Sequence, residues 1–301
     1  MMKGVAAAPV SFGVFELTAD GPLAPPAEVL EAVRDAGYDG IDLGPVGWLG
    51  TGDDIQDRLR RHRLTLCGGW VDLPFSDEEG FAAALPALDR ALEVFVAAAA
   101  VDPGRPPLPT MADSGSDVRR SNPGGSAPGL ALDEAGWSRL GQNVATAAAR
   151  VRAAGLEPTF HHHVGTYVET PAEIEAFLDH TDVGLTLDTG HLMLGGGDPL
   201  EALDTWGDRI NHVHVKDVRM VVLEEALAAG ADMRSVWERG VFVPLGAGDL
   251  ELVAFMDALA GTAFDGWVVV EQDVIPGPDV PPDRPAADQR ANREALRRWF
   301  P

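Results

Sequence analysis

Short runs of apolar residues alternate with longer amphipathic stretches along nearly the whole chain. That alternation is typical of parallel strands joined by helices that cross back over a sheet. The runs predict strands at 4–12, 40–43, 64–70, 94–101, 157–163, 183–188, 209–216 and 266–271, and a last helix at 286–300. Eight strand–helix units in 301 residues predict an α/β fold, a (β/α)8 TIM barrel that forms one domain over residues 1–301.

Helix ends are marked by local sequence. The run 170–173, Thr-Pro-Ala-Glu, combines a capping Thr, a Pro at the first helical position and a Glu that can bond back to the cap, so we predict a helix over 171–179. Asp198 and Pro199 predict a second start of the same kind. Left-handed helix ends are predicted at Gly37, Gly155 and Gly261.

The stretch 102–132 breaks this rhythm because it is rich in Pro, Gly, Ser and Asp and has no apolar periodicity. It predicts a long loop after the fourth strand. In a barrel such a loop lies on the face that carries catalytic residues. Two interpretations stay open: a disordered surface insertion, or a lid over a substrate.

Charge limits the partners. The chain has 23 Lys and Arg against 47 Asp and Glu, a net charge of −24, which repels nucleic acid and anionic membrane surfaces. Its one cysteine, Cys67, argues against an internal disulfide and a thiolate zinc site. No apolar run approaches the roughly 18 to 20 residues of a membrane span, and the N-terminal residues do not resemble a signal peptide. We therefore expect a cytoplasmic protein with a small-molecule substrate, and whether it forms a homo-oligomer stays open.

Seven of the eight histidines lie between residues 161 and 214. Because side chains alternate along a strand, His161 and His163 share one face, and His162 points toward the helices. By the same rule His212, His214 and Lys216 share the inward face of the seventh strand.

Acidic residues complete this rim, since Asp188 ends the sixth strand and Glu271 ends the eighth. Strands five to eight thus each bring an imidazole or a carboxylate to one edge of the barrel. A divalent cation explains such crowding, because without one the carboxylates repel each other. Two imidazoles and two carboxylates suit Mn²⁺, Co²⁺, Fe²⁺ or Zn²⁺ better than Ca²⁺ or Mg²⁺, and we expect Mn²⁺ or Co²⁺.

Lys216 is one of only two lysines, the other being Lys3, so a specific role is expected for it. It either bonds a substrate oxygen or pairs with Asp188 or Asp217. Trp70, which ends the third strand, is either a core residue or a wall of the substrate pocket.

Four motifs, at 160–166, 187–191, 212–219 and 266–273, resemble inosose dehydratase within the xylose-isomerase-like TIM-barrel superfamily. Segments 8–13, 36–40 and 68–70 are similar as well. The resemblance implies one divalent metal, with Asp188, His214, Glu271 and His161 as its ligands. It also places His191 beside the substrate and His163 and Lys216 in the pocket. We expect substrate contacts from Trp70, His163, His212 and Arg219.

His161 stands where most isomerases and epimerases of the superfamily have Glu. Epimerases of this kind use two metal-bound glutamates, one on each face of the substrate carbon, and here only Glu271 remains. The resemblance therefore implies a lyase that dehydrates a cyclic keto-polyol such as 2-keto-myo-inositol to a dione. Glu271 is the expected base, and His191 or Lys216 the expected acid.

Three alternatives remain. The first is a sugar or sugar-phosphate isomerase or epimerase on the same scaffold. The second is a relative of the apurinic endonucleases, which the charge of −24 disfavours, and the third is a binding protein without activity. Two departures from the family leave the substrate open: Asp42 stands where Glu is expected, and residues 220–243 follow the pattern loosely.

Overall fold

Eight parallel strands close into a barrel in which successive barrel strands are neighbours. The computed structural model describes residues 2–15, 18, 23–124, 129–277 and 280–301. The barrel strands are β1 (Gly4–Ala7), β2 (Gly40–Asp42), β3 (Thr65–Leu73), β4 (Leu108–Asp113), β5 (Thr159–His161), β6 (Gly184–Asp188), β7 (Ile210–Val215) and β10 (Trp267–Val270). The last of these, β10, pairs with β1 and so closes the ring, which confirms the predicted TIM barrel.

Helices connect the strands. They are α1 (Pro26–Ala36), α2 (Asp53–His62), α3 (Glu78–Ala99), α4 (Asp117–Arg120), α5 (Glu134–Ala153), α6 (Pro171–His180), α7 (Thr189–Leu194), α8 (Pro199–Trp206), α9 (Met220–Ala228), α10 (Met233–Glu238), α11 (Leu252–Gly261) and α12 (Arg284–Ala295). Two short antiparallel strands, β8 (Asp217–Val218) and β9 (Phe242–Val243), form a separate sheet. Within the described residues no helix has the length and hydrophobicity needed to cross a membrane.

The alternation of side chains along each strand divides the core in two. On β1, Val5 and Ala7 belong to the large apolar cluster that includes helix residues such as Leu30 and Val33. Ala6, between them, belongs to a small cluster with Trp267 and Val269 of β10. Apolar side chains fill this part of the barrel interior, and the polar side chains that form the site lie at the C-terminal ends of the strands.

The fourth strand was predicted wrongly. Residues 94–101 form the end of α3 and the turn after it, and the true strand, β4, lies inside the segment 102–132 that was predicted as a loop. Buried Leu88, Leu92 and Phe95 follow the spacing of a helix face. Neither element was predicted, because proline disfavours helix interiors and central strands. Pro86 lies inside α3 and Pro109 inside β4. The rest of 102–132 includes α4, and residues 125–128 lie outside the described part.

Most predicted boundaries are close to the observed ones. The capping box of α6 is confirmed, with Thr170 and Glu173 each bonded to the other's backbone, and Asp198 caps α8. The first strand ends at Ala7 rather than at residue 12, because a 3-10 turn, Pro9–Phe12, follows it. Gly261 is the last residue of α11 and not a left-handed end.

A buried ion-pair network ties α4 to the loop before α6. The guanidinium of Arg119 lies 2.7 Å from the carboxylate of Glu173 and 3.2 Å from that of Glu169, and all three side chains are buried. Glu169 also accepts hydrogen bonds from the backbone N–H groups of Gly124 and Gly165. The network therefore fixes two loops that line the mouth of the barrel.

Replacing Arg119→Met leaves two carboxylates buried without their cation. We expect a loss of about 3 to 5 kcal/mol in the free energy of unfolding, measured by urea denaturation. The control is Arg34→Met on α1, because its ion pair with Asp35 is exposed and surface pairs contribute little to stability. Equal small losses in both variants would contradict the structural role of Arg119.

Candidate metal centre

Four side chains from four consecutive barrel strands meet at the C-terminal rim. We call them the rim cluster: His161 at the end of β5, Asp188 at the end of β6, His214 on β7 and Glu271 just after β10. One ligand atom from each lies within 4.8 Å of the others. The first three side chains are buried and Glu271 is nearly so. This is the set that the resemblance implied.

Pair distances within the rim cluster are short. His161 Nε2 lies 3.4 Å from Asp188 Oδ2. His214 Nδ1 lies 3.2 Å from Glu271 Oε2 and 3.8 Å from the same Asp188 oxygen. Asp188 Oδ2 therefore faces both imidazoles.

Hydrogen bonds to the backbone orient Asp188. Its Oδ1 accepts a bond from the N–H of His191 and so caps α7, at 2.8 Å. Its own N–H donates to Nε2 of His162, the histidine that points away from the rim. These bonds leave Oδ2 facing the rim cluster.

The donor set fits a divalent transition-metal ion. Asp188 Oδ2, His161 Nδ1 and both ring nitrogens of His214 are buried without a hydrogen-bond partner among the described residues. Burial lowers the pKa of His161, which keeps its imidazole neutral as a ligand must be. Burial also opposes charge on His214, yet the charges of Glu271 and Asp188 raise its pKa. The same negative field that favours a proton there favours a cation.

Lys216 lies beside the rim cluster with its ammonium buried. The Nζ atom is 2.8 Å from Asp273 Oδ1, 3.0 Å from Glu271 Oε2 and 3.4 Å from Asp188 Oδ2. Burial would lower the pKa of Lys216, but these carboxylates raise it. Conversely, burial opposes ionisation of Asp188 and Glu271, but Lys216 and neighbouring histidines hold both pKa values low. Lys216 thus pairs with Asp188, one of the two partners expected from the sequence. The other, Asp217, accepts hydrogen bonds from the backbone N–H groups of Gly246 and Gly248.

A second group of possible ligands, His163, His191 and Asp273, lies next to the first. Lys216 Nζ is also 3.0 Å from His191 Nε2, so the ammonium already provides a positive charge between His191 and Asp273. The rings of His163 and His191 lie with their centres 3.7 Å apart. This group therefore already contains a cation, the ammonium of Lys216, and is not a second metal centre.

A cavity of about 250 Å³ opens over the rim cluster. Trp70 and His163 form part of its wall, and Trp70 packs edge-on against both His161 and His163. Two expected substrate contacts are not among the described residues that line it. Arg219 is exposed at the start of α9, and its guanidinium bonds the carbonyl of Ala247. His212 lies deeper in the barrel, because it precedes His214 by two residues on β7, and the C-terminal end of β7 is at the rim.

His191 is fully buried behind the cavity wall, where it contacts the lining residues Lys216 and His163. Sequence reasoning missed several cavity residues: Asp113, Arg120, Met233, Trp237 and Asp273. Asp273 stood in a quoted motif, two residues after Glu271, and received no role. Met233 and Trp237 come from α10, inside the stretch that follows the family only loosely, so no local pattern marked them.

A family model described as "xylose isomerase-like TIM barrel" matches residues 30–299. The chain belongs to this family. An inosose dehydratase of Lacticaseibacillus casei is 36% identical over 143 residues, 46% of this chain and 48% of that protein. The chain thus matches about half the length of that relative.

A longer match is the rhizopine catabolism protein MocC of Rhizobium meliloti, 31% identical over 87% of this chain and 78% of the relative. Among solved structures, the IOLI protein with a bound zinc atom has a TM-score of 0.69 at 15% identity and covers 99% of each chain. That likeness supports the fold. Together the comparisons support an enzyme of this superfamily.

Asp188→Asn tests the metal centre, because an amide oxygen can still cap α7 but the charge is lost. We expect Mn²⁺ at about 100 times its Kd to stabilise the unmodified protein by about 2.7 kcal/mol, and the variant by much less. Thermal unfolding with and without Mn²⁺ measures the difference. The matched control is Asp198→Asn, which changes the cap of α8 and should keep the full gain. No gain in the unmodified protein would remove the metal centre.

Proposed function

We propose that this chain is a divalent-metal-dependent dehydratase that converts a cyclic keto-polyol, such as 2-keto-myo-inositol, to a dione. The observation that carries the proposal is the single glutamate of the rim cluster. Glu271 lies against the ammonium of Lys216, while His161 occupies the rim position at which the resemblance leads us to expect a second glutamate. One base beside one proton donor suits removal of water, whereas epimerisation by two opposed glutamates lacks its second base.

His161, Asp188, His214 and Glu271 would hold the metal, for which we propose Mn²⁺ or Co²⁺. A bound divalent ion draws electron density from a ketone oxygen and so acidifies the neighbouring C–H bond. The similarity to inosose dehydratase over half its length supports this substrate class.

Glu271 is the base. Its pKa is low because the charges of His214 and Lys216 outweigh the effect of burial, so the carboxylate is ionised at neutral pH. It takes the proton from the carbon next to the ketone. The C–H electron pair then forms a double bond to the neighbouring carbon and expels the hydroxyl group there.

Lys216 protonates the departing hydroxyl group as water. Of the two acids considered, the geometry favours Lys216, since it lines the cavity and His191 does not. Glu271 then holds the extra proton, and Lys216 Nζ lies 3.0 Å away to take it back. The enol left in the product becomes the dione by tautomerisation.

The cavity wall offers hydrogen-bonding partners for a polyol. Asp72, Asp113 and Arg120 line it, together with Trp70 and Trp237. A mostly apolar wall with a few polar groups is typical of sites that bind small molecules.

Glu271→Gln should lower kcat for inosose dehydration by about 10²- to 10⁴-fold, the usual contribution of a general base. Dione formation from 2-keto-myo-inositol measures it, and Glu225→Gln on the exposed side of α9 is the control. Reactions in D₂O separate the alternative. An isomeric product that carries deuterium, without loss of water, would establish an isomerase or epimerase and overturn the dehydratase.

Lys216→Met removes the proton donor and should abolish measurable dehydration. An analogue with fluoride in place of the departing hydroxyl needs no protonation, so the variant should still release fluoride. Lys216→Arg, with a guanidinium that does not give up its proton, should behave in the same way. Equal losses on both substrates would show that Lys216 acts on the fold or on proton removal instead.

A further inference from the structure

A third set of ligand atoms lies inside the barrel and has no part in the chemistry above. Asp42 of β2, Cys67 of β3 and His212 of β7 each place one ligand atom within 4.8 Å of the others. We call them the interior cluster. Cys67 and His212 are fully buried and Asp42 is almost so. Layers inside such barrels are usually filled by branched apolar side chains, so three polar groups here require an explanation.

Hydrogen bonding does not supply one. Both ring nitrogens of His212 and Oδ2 of Asp42 are buried without a partner in the described part of the chain. A buried polar atom left unpaired costs about 1 to 3 kcal/mol, and an imidazole with two such atoms costs correspondingly more. A ligand that accepts these lone pairs removes the cost.

Gly68 lies beside the ring of His212. A Cβ atom built on Gly68 would lie 3.0 Å from the backbone oxygen of Leu108, 3.2 Å from Oγ1 of Thr110 and 3.3 Å from Nε2 of His212. Gly68 is also the register partner of Asp42 across β2 and β3. A side chain at this position would therefore press against Nε2 of His212, and glycine leaves that atom uncovered on this side.

Thiolate, imidazole and carboxylate together form a typical donor set for Zn²⁺ and for Co²⁺. One cysteine cannot build a site of several thiolates, but it can complete a mixed set with a water as the fourth ligand. Entry is through the catalytic cavity, because Asp42 also lines that cavity. His212 and His214 stand two residues apart with ring centres separated by 5.2 Å, so the two clusters are adjacent but share no ligand.

We propose that Asp42, Cys67 and His212 bind a second transition-metal ion, below the rim cluster, with a preference for Zn²⁺ or Co²⁺ over Mn²⁺. On binding, Cys67 loses its thiol proton to solvent and its sulfur bonds the metal. Mn²⁺ prefers oxygen-rich sites and fills the rim cluster alone. The proposal is independent of the reaction assigned above, because its ligands are a separate set.

Cobalt spectroscopy on the unmodified protein tests it. A thiolate bound to Co²⁺ gives a near-ultraviolet charge-transfer band, and Cys67 is the only cysteine that can produce it. We expect this band at saturation, with two Co²⁺ ions per chain by elemental analysis and one ion per chain when Mn²⁺ is used. One Co²⁺ per chain without the band would overturn the proposal, whatever the turnover assays give.

Variants assign the ligands. Cys67→Ser should lose the band and one Co²⁺ while keeping the thermal stabilisation by Mn²⁺. His212→Ala should lower the affinity for the thiolate-bound Co²⁺ more than loss of a residue that only hydrogen-bonds a metal ligand does. Such a loss typically lowers metal affinity by roughly 10- to 100-fold. The control is His214→Ala in the rim cluster, which should keep the band. A band of unchanged affinity in His212→Ala would mean adventitious binding to the thiol and would equally overturn the site.

Discussion

A buried ammonium controls the chemistry of the carboxylates at the mouth of the barrel. Lys216 Nζ lies within 3.4 Å of carboxylate oxygens of Asp188, Glu271 and Asp273. Burial alone favours the neutral form of each carboxylate, and for Asp273 it still raises the pKa to about 6. The ammonium and nearby histidines reverse that preference for Asp188, and His214 together with the ammonium reverses it for Glu271. The ammonium and the neighbouring imidazoles together therefore favour the ionised carboxylates, which is the form that a metal ligand or a base needs.

Charge balance then explains why the rim cluster favours a cation. Three carboxylates surround a single ammonium, so negative charge remains in a place that water hardly reaches, and burying unpaired charge costs several kcal/mol. Burial opposes charge on His214, yet the charges of Glu271 and Asp188 raise its pKa, so this position favours positive charge. A divalent ion would supply that charge and leave the imidazole neutral as a ligand. Parallel strands that end at one rim bring these groups together.

The alternation of side chains along strands was enough to predict which residues share a face, because a fixed backbone geometry determines it. Alternation does not give depth, so His212 and His214 looked equivalent although they lie in successive layers of the barrel. The fourth strand was missed because Pro109 interrupts its apolar run. Trp237 could not be predicted, since a helix distant in sequence brings it to the cavity.

The interior of the barrel is apolar in one part and polar in another, and apolar packing does not explain the polar part. Ala6 and Val269 show that this barrel can fill its interior with hydrophobic side chains, yet the layer beneath the rim holds His212 and Asp42 with unpartnered polar atoms among the described residues. An apolar residue at position 212 would remove that cost. Buried polar atoms without partners lower the stability of the free protein. A ligand that binds to them offsets this loss, because it pairs those atoms and stabilises the folded state. The polar interior is therefore better understood as a property of the loaded protein than of the folded chain alone.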